Sequence, residues 1–216
     1  RILVDAGVKR IQQHQCRVGI LALLDIAGRE ATSIRAQDLG FVLGPRINAA
    51  GRMESMRIGI ECLLAETMET AYPIAQQLNQ LNIDRRQIEG EMKQQALSAL
   101  DSLQLSQQDI PAALVLFEEN WHQGVIGIVA GRLKEQFHRP TIVFAPDEDG
   151  IHIKGSARSI DGIHIRDMIE HVAEQYPHLV THFGGHAAAA GLTLKKAHFN
   201  EFKQLFIQTI AEMDAE

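Results

Sequence analysis

The sequence predicts an α/β protein in two parts joined by a long helix, and three observations carry that expectation. Residues 3–65 place apolar side chains at helical spacing, without an alternating strand pattern. From Thr70 to about Leu103, Ile74, Leu78, Leu81, Ile88, Met92, Ala96 and Leu100 recur at intervals of three, four and seven. Past Pro111, short β-branched runs alternate with amphipathic stretches, the mark of strands interleaved with helices.

In the first part, Leu3, Val4, Val8 and Ile11 line one short helix, and Val18, Leu21, Leu24 and Ile26 a second that Gly28 stops. Thr32 and Ser33 are N-cap candidates for a third helical stretch reaching Leu43. Residues 44–53, with Pro45, Asn48, two glycines and two arginines, read as a loop, and a further helix is expected over 58–65. On the long helix, Pro73 fits an early turn, and Asp84, Arg85, Arg86, Glu89, Glu91 and Lys93 crowd the polar face.

The second part predicts strands over 113–117, 141–145 and 151–156, helices over 126–137 and 164–174, and strand-like stretches at 179–183 and 192–194. A last helix, 196–213, would bury Phe199, Phe202, Leu205, Phe206 and Ile210.

A net charge of −6 argues against nonspecific coating of duplex DNA but leaves room for a local basic groove. No run is long enough to span a bilayer, so no membrane partner is expected. Cys16 and Cys62 lack metal-type spacing and read as reduced, buried thiols of a cytoplasmic protein. The chain opens on Arg1-Ile2-Leu3-Val4-Asp5, neither an initiator methionine nor a secretory signal, and is expected to be a piece of something longer.

Four segments carry chemistry. In residues 44–52, Arg46 and Arg52 can fork onto phosphate oxygens, or pair with acidic neighbours such as Glu54. Trp121-His122-Gln123-Gly124-Val125-Ile126-Gly127 stands between a strand end and a helix start, where free amides favour anions. Trp121 could stack on a base or simply fill core, and His122 could contact a phosphate or a water. Gly155-Ser156-Ala157-Arg158-Ser159 follows the third strand; Ser156 and Arg158 suit a terminal phosphate, with Lys154 and Arg166 adding positive field. Last, Phe183-Gly184-Gly185-His186 and four alanines read as a binding turn on a rigid base, or as a plain turn between a strand and a helix. His178, His182 and His186 recur every fourth residue, but the glycine pair breaks that helix, and no metal site is expected in this chain.

Together, Leu39-Gly40-Phe41-Val42-Leu43-Gly44-Pro45-Arg46-Ile47-Asn48-Ala49-Ala50-Gly51-Arg52, the Trp121 and Gly155 segments and Phe183-Gly184-Gly185-His186 resemble the RecJ branch of the DHH/DHHA1 phosphoesterase family over essentially the whole chain. The resemblance implies residues 1–69 as the end of a DHH domain, 70–105 as the connecting helix and 106–216 as an α/β DHHA1 domain. It implies a single-stranded-DNA-specific 5′→3′ exonuclease of DNA repair and recombination, using two Mn²⁺ or Mg²⁺ ions. The Asp-His-His motif that would hold those ions is absent, so this chain should bind rather than cut. By the same resemblance Arg46, Ser156 and Arg158 grip the 5′-phosphate, while His122, Gly124, Gly184, Gly185 and His186 line the cleft. His186 is the catalytic candidate at the scissile phosphate; Asn48 and Arg52 bind the strand or shape the loop. The implied partners are 5′-phosphorylated single-stranded DNA, a single-strand-binding protein and a helicase. The alternatives are a short-oligonucleotide phosphodiesterase and an RNA-binding module.

Overall fold

A computed structural model describes residues 1–102 and 110–213, and the chain divides into two compact units, Arg1–Gln87 and Ile88–Glu216. The side chain of Leu100, residue Leu103 and the expected boundary at 105/106 lie outside the described residues.

The first unit is helical. Helices α1 (Ile2–Gln12) and α2 (Val18–Ile26) match the expected pair. A 3₁₀ turn at Ala31–Ser33 precedes α3 (Ala36–Asp38), which runs through a π-helical turn, Leu39–Leu43, straight into α4 (Gly44–Met53). This corrects two expectations. Thr32 and Ser33 lie in the 3₁₀ turn rather than capping the third helix, where the Asp38 carboxylate instead accepts from the Arg35 amide at 2.7 Å. Residues 44–53 form a helix rather than a loop. Pro45 stands in the first turn of α4, where a missing N–H costs little. The wide π turn before it carries the chain past the position a proline ring would otherwise crowd.

Helix α5 (Met56–Leu64) packs on α2 so closely that a Cβ at Gly19 would lie 1.9 Å from the Cys62 carbonyl oxygen. Helix α6 (Met68–Ser102) carries Pro73 in its second turn and contributes Ala71, Ala75 and Leu78 to a core with Leu23, Leu24, Ile34 and Leu43. Cys62 is buried there, and Cys16 is half-buried; both are free thiols.

The second unit contains the rest of α6, then β1 (Leu114–Phe117), α7 (Ile126–Phe137), β2 (Thr141–Pro146), β3 (His152–Arg158) and α8 (Ile165–Gln175). It ends with β4 (Val180–Gly185), β5 (Ala189–Lys195), a 3₁₀ turn at Lys196–His198 and α9 (Phe199–Met213). The five strands form one sheet in the order β1-β2-β3-β5-β4, with only β1 and β2 parallel.

Helices α8 and α9 cover one face through Ile165, Ile169, Phe202, Phe206 and Ile210 packed on Ile153, Ala157, Leu192 and Leu194. Leu205 is half-buried on the flank of that cluster. Helix α7 packs on β2 and β3, with Val129, Ala130 and Leu133 buried.

Two further expectations change here. The third strand continues through Arg158, so Gly155 to Arg158 lie within the strand and not after it. The Gly184-Gly185-His186 stretch closes a β-hairpin onto β5 and does not lead into a helix.

Candidate functional site

Strand periodicity sorts the third segment. Ile153, Gly155 and Ala157 are buried toward α8 and α9, while Lys154, Ser156 and Arg158 fall on the opposite face, which α7 also occupies. Arg158 Nη1 donates to Ser156 Oγ at 2.9 Å and to the Ala157 carbonyl at 2.8 Å, so the guanidinium lies back along its own strand. What gives it room is Gly127, the second residue of α7. A Cβ there would stand 2.8 Å from Arg158 Nη2 and 3.0 Å from Ser156 Oγ.

The loop and the strand therefore meet at the start of a helix. Among the described residues, the amides of Ile126 and Gly127 donate to no protein acceptor. Two open N–H groups at a helix start, with an arginine and a serine hydroxyl against Gly127, are donors of the kind that can cradle an anion.

The loop before α7 is fastened by its side chains. Trp121 is 5% exposed and donates from Nε1 to Gln95 Oε1 of α6 at 2.7 Å. It is core, and stacking on a base is excluded. Gln123 Nε2 donates to the Pro146 carbonyl at 2.8 Å and to Asp147 Oδ1 at 3.2 Å. His122 Nδ1 accepts the Gly124 amide at 3.0 Å, so the neutral ring carries its proton on Nε2 and presents a donor there.

The sheet beside the cradle is bare. In register, Ser156 pairs with Gly191, and Gly191 with Gly184; Arg158 pairs with Ala189. One cross-strand row thus runs Ser156, Gly191, Gly184, with no side chain beyond the serine. Gly184 is exposed and nothing stands within 4 Å of where its Cβ would be. The next row runs Lys154, Thr193, His182. An extended polyanion can approach this floor down to the backbone.

The hairpin tip is held firmly. Gly185 has φ +150°, and a Cβ there would lie 2.5 Å from both the Ala189 oxygen and the Ala190 Cα. The His186 amide donates to Ala189 O at 2.8 Å, the Ser159 amide to Ala188 O at 2.9 Å and the Ile165 amide to Ala187 O at 3.0 Å. His186 itself is exposed at this tip, one residue past Gly185.

Several expected contributors turn elsewhere. Ser159 is buried and donates to the Ile163 carbonyl at 2.7 Å, so only one of the two hydroxyls flanking Arg158 faces the cradle. Arg166 is forked onto Glu170 at 2.7 and 3.0 Å, which spends its charge within α8. Lys154 keeps a contact to Asp147 Oδ1 at 3.0 Å, and the ammonium holds that carboxyl below its usual range.

In the first unit, α4 separates what a loop would have joined. Arg46 points to α6, donating from Nε to Asn79 Oδ1 at 3.0 Å and from Nη1 back to the Val42 carbonyl at 2.8 Å. Asn48 and Arg52, four apart, share the exposed side of the helix. The structure does not bring Arg46 together with them.

Burial, and after it the like charge of Arg86, lower the pKa of Arg46. Among the described residues neither arginine meets a carboxylate, so the pair keeps its positive field. Arg86 was legible only as one charge on a polar helix face. A cleft of about 490 Å³ in this unit, lined by Leu24, Asp25, Arg29 and Glu30 among others, contains none of the expected residues.

Among the described residues, one grouping has three metal-ligand side chains within reach of each other: His178, His198 and Glu201. A single carboxylate does not suit a two-ion centre, which needs shared carboxylate ligands. The residues present therefore do not fit a pair of catalytic ions.

Residues 110–212, which lie within the second unit, match the DHHA1 domain family. The chain is 47% identical, over 98% of its length, to the single-stranded-DNA-specific exonuclease RecJ of Haemophilus influenzae, and 46% to that of Escherichia coli. The crystal structure of Thermus thermophilus RecJ in complex with Mn²⁺ superposes with a TM-score of 0.80 at 31% identity, covering 97% of this chain and 29% of that one. Over nearly its whole length the chain is thus similar to a part of the RecJ exonucleases. It spans about 37% of the length of the curated relatives it matches.

Proposed function

We propose that this chain is the strand-holding part of a single-stranded-DNA-specific 5′→3′ exonuclease. The cradle of Ser156, Arg158 and the Ile126 and Gly127 amides receives the 5′-terminal phosphate. The observation that carries this reading is the convergence of two segments distant in sequence on one pocket for an anion, at Gly127. The Gly184–Gly191 floor takes the following backbone, with Lys154 and His182 alongside it. His122 offers its Nε2 proton to a phosphate oxygen, and His186, at the hairpin tip, stands at the scissile phosphate.

Nothing in this set reads base edges, so the strand is held without regard to sequence. Arg46 and Arg86 form a second positive patch for the backbone, with Asn48 and Arg52 as outer contacts. The Mn²⁺ or Mg²⁺ ions of the reaction belong to ligands other than those described here, and this chain positions the strand for them. The assignment includes the three-part division at 69/70 and 105/106, action in the cytoplasm, and a single-strand-binding protein and a helicase as partners. No helix is long and apolar enough to cross a membrane among the described residues.

The test is fluorescence anisotropy with matched single-stranded oligonucleotides bearing a 5′-phosphate or a 5′-hydroxyl. The phosphorylated strand should bind more tightly, and Arg158→Ala should erase that preference, weakening binding by about 1.5–3 kcal/mol, the usual weight of a charged hydrogen bond. Equal affinity for the two ends in the wild type overturns the reading. Preferred binding of structured RNA, unaffected by Arg158→Ala, would favour the RNA-binding module instead.

A further inference from the structure

One cluster in the second unit has no part in holding a strand. We propose that His178, His198 and Glu201 form a binding site for a single divalent transition ion of the Zn²⁺ class. Their ligand atoms all lie within 4.8 Å of one another, and His178 Nε2 is 3.4 Å from Glu201 Oε1. Bonds of about 2.0–2.1 Å at tetrahedral angles put ligand atoms about 3.4 Å apart, so this pair already has the spacing such an ion needs.

The fold brings the three together from separate places. His178 stands in the turn between α8 and β4, closed by the Leu179 amide on the Tyr176 carbonyl at 3.0 Å. Val180 pairs with Leu194, so the entry of β4 lies beside the exit of β5. That exit leads at once into the 3₁₀ turn ending at His198. Glu201, in the first turn of α9, follows at i+3 on the same helical side.

A simple ion pair between His178 and Glu201 leaves the second imidazole unexplained. The His198 ring is half-buried, with its centroid 5.5 Å from that of His178 at 78°, and makes no hydrogen bond among the described residues. Two protonated imidazoles at that distance repel; two neutral ones beside a carboxylate form a donor set.

Two imidazoles and a carboxylate favour Zn²⁺, Co²⁺, Ni²⁺ or Cu²⁺ over Mg²⁺ and Mn²⁺, which take oxygen ligands more readily. With three protein ligands, water completes the coordination and the ion stays exchangeable. The site stands at the far end of the hairpin from Arg158. Ala189, paired with Arg158, and Leu194, paired with Val180, are five residues apart on β5, about 17 Å at strand rise. The ion would therefore clamp the β4–β5 hairpin to α9 without touching the strand-binding floor.

Isothermal titration of the metal-free chain with Zn²⁺ tests this, with Co²⁺ absorption as a direct view of the ligand field. We expect one equivalent bound at micromolar affinity, a thermal midpoint raised by several degrees, and weaker binding of Mn²⁺ and Mg²⁺. His178→Gln and Glu201→Gln, both at exposed positions, should each weaken Zn²⁺ by at least about tenfold with unchanged circular dichroism. His171→Gln, on the outer side of α8, should leave the titration as it was. Absence of binding, binding indifferent to both ligand substitutions, or equal affinity for Mg²⁺ each overturns the site.

Discussion

Replacing Gly127 by alanine probes how the cradle is held, because the residue itself contacts no phosphate through a side chain. The new Cβ would lie 2.8 Å from Arg158 Nη2 and 3.0 Å from Ser156 Oγ. Ordinary carbon contacts run at about 3.5–4.0 Å, so the guanidinium must retreat by about 0.7–1.2 Å. That is enough to break its 2.9 Å bond to Ser156.

Fold stability should change little. The displaced group is the end of a flexible side chain, and alanine is favoured over glycine inside a helix by about 1 kcal/mol. Affinity for a 5′-phosphorylated strand should fall by about 1.5–3 kcal/mol, or about 10- to 150-fold, while a 5′-hydroxyl strand is barely affected. Anisotropy at fixed salt reads the affinity and a thermal melt the stability. Combined with Arg158→Ala, the substitution should add almost nothing, since both act on one contact. Unchanged affinity for the phosphorylated strand in a folded Gly127→Ala chain would refute the argument that Arg158 grips the phosphate from this position.

Three other outcomes follow from the same geometry. Gly185→Ala, at φ +150° with its Cβ 2.5 Å from Ala189 O, should cost about 1–3 kcal/mol in denaturant unfolding; a wild-type midpoint would show that the hairpin tip relaxes freely. Gln95→Ala removes the acceptor of Trp121 Nε1 and should destabilise by about 1 kcal/mol and shift the emission of this sole tryptophan; an identical spectrum would count against that bond. Asp149 is held at a pKa of about 2, first by the His152 amide, then by the His152 side chain and the Ile151 amide. A carboxyl depressed in the folded state adds stability above its ordinary value of 3.8, lost as pH falls toward 2. An NMR titration of the Asp149 carboxyl should therefore have its midpoint near 2, and a midpoint of 3.8 would show that the turn does not restrain it.

Local pattern was a sound guide wherever one physical signal dominated. The expected 126–137 helix is α7 in full, because Val129, Ala130 and Leu133 supply a stripe at helical spacing and His138 closes it in a left-handed cap. The β2 run is apolar from Ile142 to Ala145 because both sides of the strand are covered. Pattern failed where the answer depended on a neighbour. Pro45 and two glycines argue for a loop, yet a π turn admits the proline and the helix continues. Gly184-Gly185 marks a backbone position with special needs, but only pairing with Ala190 and Gly191 shows that the turn is a hairpin.

The sequence by itself determined the helical first unit, the α/β second unit, the long helix and the segments that carry chemistry, because periodicity and glycine, proline and arginine placement are local properties. Tertiary structure alone decided which of those residues share a surface. Strand register put Ser156 and Arg158 on one face with Gly191 and Gly184, while the winding of α4 turned Arg46 away from Asn48 and Arg52. It also set Gly127 against Arg158 and drew His178 to His198 and Glu201. These are contacts across tens of residues, set by how the strands pair and the helices pack, and no window along the chain contains them.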